Sequence, residues 1–160
     1  MRALVDKLGH YATRFLCFFR LEPLLPREQQ VVHGQLLPAE AALFWDLQPE
    51  DQRHSFAVAS RVMQTIPGDD EAVRAALLHD VGKRHSELGA FRRSLATVLG
   101  HLGLPLGDRM RSYWDHGAIG AADLAAAGSS EFVVAFAAHH SDGEHRAGSE
   151  RWQAVLRADV

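Results

Sequence analysis

Seven residues of this 160-residue chain have the types and spacing that metal chemistry needs: His54, the doublet His79-Asp80, His116, the doublet His139-His140, and Asp159. Imidazole nitrogens combined with carboxylate oxygens suit a divalent transition ion such as Mn, Fe, Co, Ni or Zn. His79-Asp80 raises the question most sharply, because Ala72, Val73, Ala75, Ala76, Leu77 and Leu78 before it read as a buried helix. An ionised carboxylate in such surroundings must be paired, hydrogen-bonded or bound to a cation. His139-His140 follows a second apolar run, Phe132 to Ala138. Two readings stay open on spacing alone: both doublets reach solvent at their helix ends, or they share an ion with the other donors.

Helices must position these groups, since no alternating strand pattern occurs. Apolar periodicity predicts helices near 27–34, 38–47, 49–65, 70–80, 86–101, 114–127, 130–140 and 148–158. The breaks fall at Pro67-Gly68, Gly82, Gly103 to Gly107, Gly128 and Asp142-Gly143, where turn chemistry is strongest. Pro49 suits the first turn of its helix and Asp69 the cap of the next. The fold class expected is all-α, a single-domain helical bundle. Residues 1–48 read as an N-terminal helical extension packing on the core, and 49–160 as the metal-binding helical domain. Leu4, Leu8, Tyr11, Phe15 and Phe18 recur at three- and four-residue steps, as in an amphipathic helix. The apolar patch Phe15 to Phe19 is too short for a signal peptide or a membrane span.

Composition bounds the function. Apolar residues make up 47% and charged residues 23%, which suits a folded globular domain rather than a disordered chain. A net charge of -3 offers no basic surplus for binding nucleic acid in bulk. The single cysteine, Cys17, excludes an internal disulfide scaffold and fits a reducing compartment, so a cytoplasmic location is expected.

The order of the donors resembles the HD-domain superfamily of metal-dependent phosphohydrolases: His54 on its own helix, LLHDVGK spanning His79-Asp80 and Lys83, then His116-Gly117-Ala118, His139-His140 and Asp159. The likeness covers residues 50 to 160. It implies a bundle of the HD-domain type in which His54, His79, Asp80 and Asp159 hold one metal and Asp80 bridges to a second. Branches with two metals resemble this chain in their extra histidines, here His116, His139 and His140. The cofactors implied are two divalent ions (Mn, Fe, Co, Ni, Zn or Mg). SDGEHRAG after the second doublet lacks the Gly-Tyr-Pro of the HD-GYP branch, which points away from cyclic-di-GMP hydrolysis.

The activity expected is hydrolysis of a phosphomonoester or phosphodiester, in a nucleotide or other small phosphoester, by a metal-activated hydroxide. Asp80 and Lys83 are the catalytic candidates, and Lys83, Arg84 and Arg146 the candidates for binding substrate phosphate. Lys83 is one of two lysines beside fifteen arginines. Glu50 shares a helical face with His54, although an acid in the first helical turn also simply meets the dipole. Arg53, Arg92 and Arg93 are further phosphate candidates, and Tyr113 and Trp114 either stack on a base or pack. His10, His33, His85, His101 and His145 receive no role. Two alternatives share the donor order: a di-iron oxygenase of the same superfamily, and a non-catalytic signalling or ligand-binding module.

Overall fold

A computed structural model describes residues 23–86, 88, 90–141 and 149–159, with the backbone alone at 90–94 and 101. The amphipathic stretch expected over the first nineteen residues lies outside the described residues. Those described are all-helical, with no strand among them. The order is α1 (Pro26–Gln35), α2 (Pro38–Trp45), α3 (Pro49–Thr65), α4 (Asp70–Leu78), a 3-10 helix (Val81–His85), α5 (Ala90–His101), α6 (Asp108–Trp114), α7 (His116–Ala126), α8 (Glu131–His139) and α9 (Glu150–Ala158).

Local chemistry sets the starts. Helices α1, α2 and α3 each open with proline at the first turn, where its missing N–H costs nothing. Glu28 and Glu40, at the third position of α1 and α2, accept the backbone N–H of Leu25 and Leu37 at 2.7 and 2.9 Å. Asp69 caps α4 through the Ala72 N–H, and Ser130 and Ser149 cap α8 and α9. Two elements differ from the sequence expectation. Residues 108–114 form a helix of their own, separated from α7 at Asp115. The α-helix expected to run to residue 80 ends at Leu78 and passes into the 3-10 helix, so His79 and Asp80 occupy the turn between the two.

Helix α4 is the axis of the bundle. Ala72, Val73, Ala75, Ala76, Leu77 and Leu78 are buried, and α3, α8 and α9 pack around them. Leu24, Val32, Leu36, Phe44 and Leu47 join the same core as Val58, Val62, Leu124, Phe136 and Trp152, so residues 24–47 help to build the bundle. Trp152 lies edge-on to Phe136 and Phe132, with ring centroids 4.9 and 6.0 Å away, which locks α9 against α8. No described helix is long and apolar enough to cross a membrane.

Gly82 and Gly120 let the 3-10 helix and α7 touch backbone to backbone. A Cβ on Gly82 would lie 1.9 Å from the His116 carbonyl oxygen, and one on Gly120 would lie 2.9 Å from the Gly82 nitrogen. This close approach brings the N-terminus of α7 to the end of α4. Gly82→Ala should therefore destabilise the fold by about 1–3 kcal/mol, as overpacking against rigid backbone does. Gly34→Ala, on a helix with nothing within 4 Å of the added carbon, should be neutral or stabilise by up to about 1 kcal/mol. Urea unfolding of the two variants checks the contrast; equal stabilities would refute the close-packing account.

A second fixed point is Glu40, fully buried and gripped by Arg74 through bonds of 2.8 and 3.2 Å, with Ser129 Oγ donating at 2.7 Å. Burial alone would raise its pKa. The hydrogen bonds from Arg74, Leu37 and Ser129 outweigh that and hold it below the ordinary 4.5. A depressed carboxylate contributes stability above its unfolded pKa and loses it as pH falls through the folded one. Glu40→Gln should cost about 1.5–3 kcal/mol at pH 7, with the gap to the unsubstituted protein narrowing below pH 4.5. A gap that stayed constant from pH 7 to 3 in denaturant titrations would contradict this.

Candidate metal centre

Six elements deliver donors to one point at the end of α4. His79 follows α4 directly, and Asp80 opens the 3-10 helix with φ -103° and ψ 7°, a turn that swings both neighbours toward the same centre. His116 begins α7, His140 follows α8, Asp159 follows α9, and His54 comes from the second turn of α3. The imidazoles adjoin in the order His54, His79, His140, His116, with successive centroids 5.5, 5.0 and 5.3 Å apart.

Asp80 is the hub. Its Oδ1 lies 3.3 Å from His116 Nε2 and 3.5 Å from His140 Nε2. Its Oδ2 lies 3.3 Å from His79 Nε2 and accepts from the Lys83 ammonium. Asp159 Oδ1 pairs with His54 Nε2 at 2.9 Å and stands 3.5 Å from His79 Nε2. Two ligand groups result, each with its donor atoms within 4.8 Å of one another: His54, His79 and Asp159, and His79, Asp80 and His140.

Ring orientation is fixed by the backbone. Nδ1 of His79, His116 and His140 bonds to the carbonyl three residues earlier, Ala76, Tyr113 and Ala137, at 2.8, 2.7 and 3.0 Å. A carbonyl only accepts, so each Nδ1 carries a proton and each ring turns its Nε2 to the centre. There the Nε2 atoms surround a carboxylate, which only accepts. His79 Nε2, His116 Nε2 and Asp80 Oδ1 are buried without a hydrogen-bond partner, an arrangement that a cation resolves. The donor set thus fits a divalent ion.

In the metal-free protein, protons supply that charge. Burial works to lower the His79 pKa, but the charges of Asp80 and Asp159 raise it to about 10, making it an imidazolium. Burial works to raise Asp80, yet His79 and Lys83 hold it well below the ordinary carboxylate value. His140, lowered by burial, stays neutral, and its Nε2 lies 3.1 Å from the Ser141 hydroxyl, which donates to it.

Of the residues expected at the site, His54, His79, Asp80, Lys83, His116, His140 and Asp159 converge. His139 does not: it is exposed, turned about 100° around the helix from His140, and belongs to neither ligand group. Arg84 is committed elsewhere, its Nη1 to Asp46 at 2.9 Å and its Nη2 to Asp123 at 3.0 Å. Arg53 binds Glu28 and the Pro23 carbonyl. Arg146 and His145 lie outside the described residues, and Glu50 joins neither ligand group. His85 pairs with Asp123 at 2.8 Å, and Trp114 packs over Gly100. Tyr113 stacks on His116, with centroids 5.7 Å apart.

Two contributors escaped the sequence reading. Ser141 supplies the hydroxyl on His140. Arg61 donates to the Ala158 carbonyl at 2.7 Å, tying the end of α9, and so Asp159, to α3. Arg61 lies seven residues beyond His54 and shares its helical face, the only sequence signal available for it.

A scan against protein-family models found no match, and searches of curated proteins and of solved structures found none either.

The two members of the second doublet should behave oppositely. His140→Ala should lower the affinity for Co²⁺ or Zn²⁺ by at least about tenfold, through loss of a ligand, whereas His139→Ala should leave it unchanged. Metal titration of the two proteins decides it, and an equal loss in both would break the geometric assignment.

Proposed function

We propose that the chain is a metal-dependent phosphohydrolase with a bundle of the HD-domain type, acting in the cytoplasm on a nucleotide or other small phosphoester. The observation that carries the reading is the buried Asp80, faced by Nε2 of His79, His116 and His140, whose other nitrogens are already committed to backbone carbonyls. A buried carboxylate ringed by imidazole nitrogens suits cations, and the resemblance in donor order supplies the reaction class.

His54, His79 and Asp159 would hold one ion, with His79, Asp80, His116 and His140 available to a second. Bound divalent ions supply Lewis-acid charge to phosphoryl oxygens and an acidified water. The protein's own contribution is preorganisation. Backbone carbonyls hold three rings in one tautomer, so no reorientation is needed when charge develops. Lys83 places an ammonium beside Asp80, where an anionic substrate gains a further charge-assisted contact. Exposure rises from 1% at His79 and Asp80 to 14% at Asp159 and 28% at His54, so a phosphoester meets the site on the His54–Asp159 side.

A panel of nucleotides and simple phosphoesters with Mn²⁺, Co²⁺, Ni²⁺, Zn²⁺ or Mg²⁺ tests this reading. Turnover should require added metal, stop with a chelator and fall by at least about a thousandfold in Asp80→Ala, the scale of losing a main source of transition-state charge. Near-normal turnover by Asp80→Ala would overturn the proposal. Oxygen uptake coupled to oxidation of a C–H substrate would replace it with oxygenase chemistry. Failure to retain any metal would leave a non-catalytic binding module.

A further inference from the structure

The two oxygens of Asp80 are not equivalent. Oδ1 has no hydrogen-bond partner and faces Nε2 of His116 and His140 at 3.3 and 3.5 Å. Oδ2 already carries a cation, the ammonium of Lys83, from a side chain only 11% exposed. The Lys83 N–H bonds to the Asp80 carbonyl at 2.9 Å, so the first turn of the 3-10 helix fixes the spacing that puts this ammonium on this oxygen. An ammonium in contact with Oδ2 takes the lone-pair directions through which that oxygen would coordinate an ion. A divalent cation brought there meets like charge at short range in a dry site, where screening is weak.

Resting on the metal-site reading above, we propose that Lys83 is a tethered competitor for the metal. Its ammonium neutralises Asp80 in the metal-free protein and is displaced from Oδ2 on loading, so an internal cation is exchanged for an external one. The same side chain therefore has opposite effects on two equilibria. It stabilises the fold without metal, because it prevents an uncompensated buried carboxylate, and it weakens metal affinity. A ligand-positioning or purely structural lysine would support both.

The test is Co²⁺ titration calorimetry on chelator-treated protein, alongside thermal unfolding of the metal-free form. Lys83→Met keeps the aliphatic stem and removes the charge. It should bind Co²⁺ about ten- to a hundredfold more tightly, the scale of one charge-assisted hydrogen bond, while its metal-free form unfolds several degrees lower. Arg84→Met removes a cation one residue later that is committed to Asp46 and Asp123, and should leave Co²⁺ affinity within about twofold, as expected of a well-separated screened charge.

Unchanged or weaker Co²⁺ binding by Lys83→Met overturns the competition, as does an equal gain in Arg84→Met, which would reduce it to net charge. Should Lys83→Met not fold without metal, Lys83→Gln retains a neutral donor and must still bind Co²⁺ more tightly than the unsubstituted protein. Absence of Co²⁺ binding by every variant, the parent included, overturns the metal site itself and the competition with it.

Discussion

A carboxylate buried at the end of an apolar helix is the constraint on which the other features depend. Asp80 is held ionised at 1% exposure, where an unpaired charge is not tolerated. Every feature around it can be derived from that demand. Lys83 sits on one oxygen, imidazoles surround the rest, and His79 carries a proton in the metal-free protein. The two carboxylates Asp80 and Asp159 are then balanced by the Lys83 ammonium and the His79 imidazolium. Such a balance keeps the fold intact without metal, yet each balancing charge stands where a metal ligand or a metal would otherwise act. On the proposal made above, the site is a set of exchangeable cations around a fixed anion.

Meeting the demand requires the backbone to come very close. Asp80 can be reached by His116 only because the 3-10 helix and α7 touch at Gly82 and Gly120. Gly117 plays the matching part between α7 and α8: a Cβ there would lie 3.0 Å from the carbonyls of Ala137 and Ala138. The small residues of VGK and HGAIG are thus part of the site, although none of them carries a functional group. On the far side the work is done by large residues. Trp152 and Val155 are buried on the face of α9 that continues to Asp159, and the packing of α9 against α3 and α4, with Trp152 set against Phe132 and Phe136 of α8, carries the last carboxylate into place.

Much of this was legible in the sequence because helix and ligand signals are local. Caps, prolines and three- and four-residue apolar steps predict α1 to α4 and α7 to α9 closely, and the order of donors predicts which elements must meet. What was missed is mostly non-local. That Arg84 is consumed by Asp46 and Asp123 depends on partners 38 and 39 residues away in sequence, to which composition gives no clue. The short helix 108–114 has no buried residue, so it carries no apolar face to detect. The doublet at 139–140 was decidable in principle. Val133, Phe136 and Ala137 are buried, and His140 continues their face at steps of seven, four and three. His139 instead continues the face of exposed Glu131 and half-buried Ala135.

The helix ends explain why the donors gather where they do. The last carbonyls of an α-helix have no partner within the helix, and those of α4, α6 and α8 find one in an imidazole Nδ1–H. One bond thus satisfies an orphan acceptor and sets a tautomer. With α9, whose end carries Asp159, four helices terminate around Asp80, each bringing the negative end of its dipole. Negative potential from four termini and two carboxylates, offset in part by the single N-terminus of α7, converges on a small buried volume. Such a volume selects for positive charge before any particular ligand distance is considered. The proposed competition between the tethered lysine, a proton and a divalent ion is then a competition for this one volume.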